Sequence, residues 1–149
     1  MGQELSKILG SVSLLFWGGA LAFFDFREHR LPDSLTLSVY PLLLASLAVY
    51  RPDQLATVST FAILGIGYGL LANRFFDVGL GDVKLVGACA LFMGFTENPA
   101  PAALTATVCV SLIGGIQALI QLGYTRDPKS YLPFGPAILY GSLYALTSA

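Results

Sequence analysis

The sequence predicts an all-α, polytopic integral membrane protein with about six transmembrane helices, the fourth of them short. Hydrophobic residues make up 55% of the chain and charged residues only 11%, whereas a soluble domain carries about 25% charged residues. The mean hydropathy is +0.71. Such a chain cannot cover its apolar surface without lipid, so the bilayer is its first expected partner.

The charged residues divide the chain into six apolar stretches joined by short polar segments. The stretches comprise residues 8–24, 35–50, 54–73, 85–95, 100–123 and 131–146. Most of them have the roughly 17–25 residues that a helix needs to cross a bilayer. The polar segments are too short to fold by themselves, so residues 1–149 are expected to form a single membrane-embedded domain.

The fourth stretch is too short to cross a membrane without support. Counted from Asp82 it has roughly 14 residues, about 21 Å at the rise of an α-helix. It follows Gly79-Leu80-Gly81-Asp82, and irregular backbone at membrane depth is tolerated only where it lines a cavity. We therefore expect the fourth helix to begin at this Gly-x-Gly-Asp element, beside a cavity.

The positive residues predict the orientation of the chain. If there are six spans, two of the positive residues, Lys7 and Arg51, lie on one side and six on the other: Arg27, Arg30, Arg74, Lys84, Arg126 and Lys129. The side richer in Lys and Arg faces the cytoplasm. Both termini are then expected outside a cytoplasmic (inner) membrane, with the connections after the first and third helices on the cytoplasmic face.

Two aspartates occur where a membrane protein tolerates them least. Asp25 ends the first apolar stretch and Asp82 precedes the fourth, and ionisable residues in such places are functional candidates by default. Close carboxylates share a proton, so one can act as a base on water while the other polarises a carbonyl. The structural alternatives are a helix N-cap for Asp82 and pairing with Arg27 or Arg30 for Asp25. The shared membrane face and the short helix favour a catalytic pair.

Several residues beside Asp82 are candidates for shaping a cleft. Gly79 and Gly81 lack side chains, which lets an extended substrate approach and lets the chain adopt a positive φ. Asp82 is expected near a helix N-terminus, where the dipole favours negative charge. Lys84 fits a residue that reaches towards the membrane interface and is also a candidate for the cleft wall. Asp77 is interpreted as a solvated loop acid.

Composition disfavours several other function classes. The net charge of −1 and the lack of a basic stretch argue against nucleic acid as a partner. His29 is the only histidine, and Cys89 and Cys109 lie in apolar stretches away from residues at metal-ligand spacing. We therefore expect no metal site, no cofactor and no Ser/His/Asp triad.

Three motifs carry a resemblance to a known family. They are Asp-Phe-Arg-Glu-His-Arg-Leu-Pro-Asp at residues 25–33, Gly-Leu-Gly-Asp-Val-Lys-Leu at 79–85 with Gly94 downstream, and Leu-Pro-Phe-Gly-Pro-Ala at 132–137. In this order they resemble the type IV prepilin peptidases, membrane aspartyl proteases of the Gly-x-Gly-Asp class. The resemblance implies that Asp25 and Asp82 are the catalytic pair. The third motif, with Pro133, Gly135 and Pro136, is expected to open the last helix and shape the cleft.

The resemblance also implies a substrate. Members of the family cleave the short basic leader of prepilins or pseudopilins at the cytoplasmic membrane face, typically after a Gly. Larger bacterial members carry an N-terminal insertion with paired Cys-x-x-Cys motifs and also methylate the new N-terminus. This sequence resembles the compact, peptidase-only members, because it has no Cys-x-x-Cys. Methyl transfer is therefore not expected.

Two functions of other classes are compatible with paired membrane acids. A small transporter or channel could use Asp25 and Asp82 as a proton or cation relay, but this leaves the paired glycines and residues 133–136 unexplained. A catalytically silent scaffold for pilus assembly could keep the fold but would not need both acids. Cleavage of a prepilin-like peptide at a defined bond separates the peptidase from both.

The orientation can be tested by cysteine labelling in a background in which Cys89 and Cys109 are replaced by Ala. With Ser130→Cys, in the loop after the fifth stretch, we expect reaction with an impermeant thiol reagent only after the membrane is opened. With Asp53→Cys we expect labelling in intact cells, because the positive-inside bias puts this position outside. The reverse pattern would invert the topology and move both aspartates to the external face.

Overall fold

The computed structural model describes residues 2–28, 33–76, 79–125 and 134–148. The regular structure of these ranges is helical, and each helix corresponds to one predicted apolar stretch. In chain order the elements are α1 (Gly2–Glu28), α2 (Asp33–Tyr50), α3 (Pro52–Phe76), α4 (Leu80–Phe92), a 3₁₀ turn (Met93–Phe95), α5 (Pro99–Thr125) and α6 (Gly135–Ser148).

Among the described residues, two helices are long and apolar enough to cross a membrane. These segments are Pro52–Leu71 and Pro99–Tyr124, with mean hydropathies of 1.5 and 1.9, and shorter apolar helices occur at Leu5–Leu21 and Ser34–Tyr50. In the most apolar 18 residues of each long segment, only 11% and 6% are buried inside the protein. The core helix of a soluble protein would be mostly buried, so these exposed apolar surfaces fit a membrane protein.

Prolines mark the beginnings of three helices. Pro52 and Pro99 are the first residues of α3 and α5, and Pro136 is the second residue of α6. The ring fixes a φ suitable for a helix, and the missing N–H has no intrahelical partner in the first turn. The first turn of α6 then closes with the N–H of Ile138 donating to the carbonyl of Phe134 at 3.1 Å.

The short helix α4 lies at the centre of the bundle. It has 13 residues, of which seven are buried: Val83, Leu85, Gly87, Ala88, Cys89, Leu91 and Phe92. It packs against α1, α2, α3 and α6. A helix packed in this way does not need to span the bilayer alone, because its neighbours cover much of its surface.

Contacts along α4 define the directions of the neighbouring helices. α1 is antiparallel to α4: a Cβ on Gly10 would lie 2.9 Å from Phe95 Cβ, and the ring of Trp17, further along α1, lies 5.7 Å from that of Phe92. α2 runs parallel to α4, because Tyr40 contacts the region of Lys84 and Leu47 contacts Gly94.

Glycines allow α3 and α4 to approach closely. A Cβ on Gly69 would lie 2.9 Å from Cγ1 of Val83, and a Cβ on Gly65 would lie 3.2 Å from Cγ1 of Val86. Such small residues let helix backbones pack tightly in a membrane, where apolar burial alone does not drive helices together. Val83, the residue that Gly69 contacts, directly follows Asp82 on α4. The contact therefore positions the start of that helix.

We expect Gly69→Ala to lower the stability of the protein by about 1–3 kcal/mol, because the stiff, β-branched Val83 cannot move aside without cost. The matched control is Gly67→Ala in the same helix, where a Cβ would meet no atom within 4 Å. That control should keep or raise stability, since Ala exceeds Gly in helix propensity by about 1 kcal/mol. Thermal unfolding in detergent measures both, and equal midpoints for the two variants would contradict this account of the α3–α4 contact.

Candidate active site

Asp82 is the third residue of α4, in the first turn of the helix. The N-cap is Gly79, and no side chain caps this helix end. The structural alternative considered for Asp82, that of an N-cap residue, is therefore wrong. Its side chain is half-buried and takes part in at least one interaction. The sequence correctly placed Asp82 near the N-terminus of the fourth helix.

Gly79 does not have the positive φ that the sequence suggested. Its backbone is extended, with φ −59° and ψ 136°, a conformation open to any residue. The absence of its side chain matters for another reason: a Cβ on Gly79 would lie 3.3 Å from Oδ2 of Asp82. The glycine thus leaves room for the carboxylate to turn back over the helix start, and the next glycine, Gly81, is helical and half-buried.

Asp25 lies in the last turn of α1, although its side chain falls outside the described part of the structure. Because α1 and α4 are antiparallel and Gly10 contacts Phe95, their heights can be compared. Asp25 is about 22 Å along α1 from Gly10, and Asp82 is about 21 Å from Phe95, measured along α4 and the 3₁₀ turn that follows it. The two aspartates therefore belong to the same end of the bundle.

The start of α6 reaches this end as well. α6 is antiparallel to α1, since Gly18 contacts Leu139 while Val12 and Thr147 line the same surface depression. Gly135 and Pro136, at the beginning of α6, are both buried. Two further residues predicted near the site, Asp77 and Pro133, lie outside the described residues.

Tyr40 is a residue of this region that the sequence did not reveal. Its hydroxyl donates a 2.6 Å hydrogen bond to the backbone carbonyl of Lys84. Within α4 this carbonyl would otherwise accept only from the N–H of Ala88, four residues later. Gly87 makes the contact possible, because a Cβ there would collide with the Tyr40 hydroxyl. The backbone at the half-buried Lys84, two residues after Asp82, is thus held by α2.

The N-terminal part of α2 is also hydrogen-bonded to α1 near this end of the bundle. The indole N–H of Trp17 donates to the carbonyl of Leu35 at 3.0 Å. Thr36, the next residue, is fully buried. Because α2 runs parallel to α4, with Tyr40 beside Lys84 and Gly87, Thr36 lies near the height of Asp82. Its burial was not predicted from the sequence.

The described residues offer no donor set for a metal: no group of three or more His, Cys, Asp or Glu side chains in that part of the chain could hold an ion. Cys89 and Cys109 are free thiols. A cavity of about 450 Å³ lies between α3, α4, α5 and α6. Its lining on α4 begins at Val86, one turn after Asp82, and contains no residue of the Gly-x-Gly-Asp element.

Tyr40→Phe should lower the stability of the protein by about 0.5–1.5 kcal/mol, because it removes the hydroxyl that donates to the Lys84 carbonyl and keeps the ring. Tyr50→Phe is the matched control in the same helix, since Tyr50 is 70% exposed. Chemical unfolding of the purified protein compares the two variants. If Tyr40→Phe and Tyr50→Phe unfold at the same denaturant concentration, the contact with α4 contributes nothing measurable.

Comparisons with known proteins agree with the motifs. A prepilin leader peptidase/N-methyltransferase of Escherichia coli (strain K12) is 29% identical over 136 residues, which cover 85% of this chain and 57% of the relative. The chain thus spans a little over half the length of that relative. No solved structure matches the chain. The model of the type IV leader peptidase family matches residues 12–119, which contain the motifs around Asp25 and Asp82. Since this match covers most of the 149 residues, the chain belongs to the type IV leader peptidase family.

Proposed function

We propose that the protein is an intramembrane aspartic endopeptidase that removes the leader peptide of prepilin or pseudopilin substrates. The observation that carries the proposal is the occurrence of Asp25 and Asp82 at the same end of two antiparallel helices. Membership of the type IV leader peptidase family supports the reaction class. The name of the E. coli relative supports prepilins as the substrate class.

The proposed chemistry needs one ionised and one protonated carboxyl group. We assign the base to Asp82, because the first turn of a helix favours negative charge, and the acid to Asp25. Asp82 takes a proton from water while the water oxygen attacks the scissile carbonyl carbon, and Asp25 gives its proton to the carbonyl oxygen. The tetrahedral intermediate then collapses and the C–N bond breaks. The leaving nitrogen takes a proton from Asp82, and Asp25 recovers its proton from a hydroxyl group of the intermediate.

The proposed cleft lies around the first turn of α4. Gly79 and Gly81 leave space for an extended substrate backbone, and Gly79 in particular leaves the approach to Oδ2 of Asp82 open. Lys84, Gly135 and Pro136, with Pro133, are proposed to form its walls. The supporting observation is that α1 ends at the end of the bundle where α4 and α6 begin.

The proposed membrane arrangement has six spans, with both termini outside and the aspartates at the cytoplasmic face. This follows from the distribution of Lys and Arg among the loops. A leader rich in Lys and Arg stays in the cytoplasm for the same reason, so leader and active site meet at one face. We propose a single peptidase domain over residues 1–149.

We also propose that this chain does not transfer a methyl group to the new N-terminus. The family resemblance connects that second reaction with paired Cys-x-x-Cys motifs, and the two cysteines of this sequence lie in different helices, at Cys89 and Cys109. The mass of the cleaved product, determined after incubation with S-adenosylmethionine, distinguishes a free from a methylated amino group. A gain of one methyl group would contradict this part of the proposal.

Asp25→Asn and Asp82→Asn should each reduce prepilin cleavage by about 10²-fold or more, because an amide can neither accept the proton from water nor donate one to the carbonyl. Purified variants are incubated with a prepilin, and the cut is located by mass spectrometry.

Asp33→Asn and Asp77→Asn are the matched controls, since they make the same chemical change in the neighbouring polar segments, and they should retain most of the activity. Thermal unfolding shows that each variant is folded. Full processing by either Asp25→Asn or Asp82→Asn would eliminate the two-aspartate mechanism. A wild-type protein that never cleaves a prepilin would refute the peptidase proposal itself.

A further inference from the structure

A groove runs into the bundle between α3, α4, α5 and α6, and its lining on α4 begins at Val86, one turn after Asp82. Its volume of about 450 Å³ falls within the range of about 300–1,000 Å³ that is usual for ligand pockets. The lining is mainly apolar, with hydroxyl groups from Tyr68, Thr107 and Ser142 among the side chains. None of the chemistry assigned above uses this space.

The groove continues the face of α4 that carries Asp82. Val86, Cys89 and Met93 line it, and they follow Asp82 at four, seven and eleven positions. At 3.6 residues per turn these four positions lie within about 60° of one another around the helix axis. The groove therefore starts about 6 Å from the level of Asp82 and extends to about 16 Å from it.

The groove is open on its side towards the membrane. Leu64 and Tyr68 of α3, which line one edge, are 62% and 76% exposed, and Thr107 of α5 on the other edge is also exposed. Several lining residues are small, including Gly65, Ala90 and Ala106. Small residues allow another helix to pack closely in a bilayer. A helix that resides in the membrane can thus enter the groove laterally, without passing through the bundle.

We propose that this groove binds the apolar segment that follows the scissile bond of the substrate. The inference rests on the proposed function: if water activated by Asp82 attacks the bond at the membrane face, the chain beyond that bond must descend into hydrocarbon next to Asp82. The groove provides a path along the same face of α4. A lipid acyl chain could fill the space but would have no reason to align with Asp82. The groove thus selects substrates whose leader is followed at once by an apolar helix.

The test compares two substrates of the purified full-length protein in lipid vesicles. One is a complete prepilin, and the other is a short peptide that keeps the leader and cleavage site but lacks the apolar segment. Thr107→Phe introduces a large side chain into the groove from its exposed edge. Thr60→Phe is the matched control: Thr60 and Thr107 are both exposed, and each hydroxyl donates to the carbonyl four residues earlier, at 2.9 and 2.8 Å, but Thr60 does not line the groove.

Thr107→Phe should reduce the ratio of kcat/KM for the complete prepilin to kcat/KM for the short peptide by roughly tenfold or more, mainly through KM. Thr60→Phe should leave that ratio unchanged. If Thr107→Phe does not fold, Ser111→Phe, at a second exposed lining position, replaces it in the same measurement. An unchanged ratio in the folded groove variants would overturn the inference and indicate that lipid fills the groove. Failure of the wild-type protein to cleave both substrates would instead refute the proposed function.

A photoreactive amino acid at position 107, in the Asp82→Asn background, provides a second readout. We expect a cross-link to the apolar segment of the complete prepilin, and none from the same amino acid at position 60. Cross-links to lipid alone at position 107, while the prepilin remains bound, would overturn the inference independently of any rate.

Discussion

The arrangement of this protein depends on placing a carboxylate at the first turn of a short, buried helix. A carboxylate in hydrocarbon is costly, whereas at a helix start it meets unpaired N–H groups and a favourable dipole. α4 provides such a start for Asp82 inside the bundle. It can do so because it does not span the bilayer alone: neighbouring helices cover most of its sides, and seven of its 13 residues are buried. The other helices are arranged around this requirement.

Holding a short helix in place requires direct contact with its backbone. Gly69 brings α3 against Val83, and Gly87 admits the Tyr40 hydroxyl to the backbone of α4. In lipid, apolar burial gives little preference for one helix partner over another, so close packing and hydrogen bonds must define the geometry. These contacts lie within about one and a half turns of Asp82, where a displacement of the helix would move the carboxylate most directly.

The sequence predicted those parts of the structure that depend on local composition. The apolar stretches identified the helices, and the charges that separate them located the connections. Asp82 was expected at a helix start, because the Gly-x-Gly-Asp element lies between two apolar stretches. The prediction of a positive φ at Gly79 was wrong, because its backbone conformation is ordinary. The missing side chain instead leaves the space that the carboxylate of Asp82 needs. Local sequence cannot distinguish these two uses of glycine.

Features that join distant parts of the chain were not predictable. Tyr40 and Lys84 are 44 positions apart, and an aromatic residue in an apolar stretch carries no sign of its partner. The groove requires four helices to meet, and its extent depends on how far α3 and α5 separate. Packing of this kind follows from the shapes of many side chains together, so it appears only in three dimensions.

The structure combines tight packing on one side of α4 with open space on another. Towards α2 and α3, glycines bring the backbones together near Asp82, while between α3 and α5 a groove remains open to the membrane. An enzyme that acts on a membrane-resident helix needs both properties: its acids must be held in position before the substrate arrives, and the substrate must enter from the bilayer. Closing the groove would improve packing but would block lateral entry. Under the proposed function, the open side of α4 gives up some packing for access to the substrate.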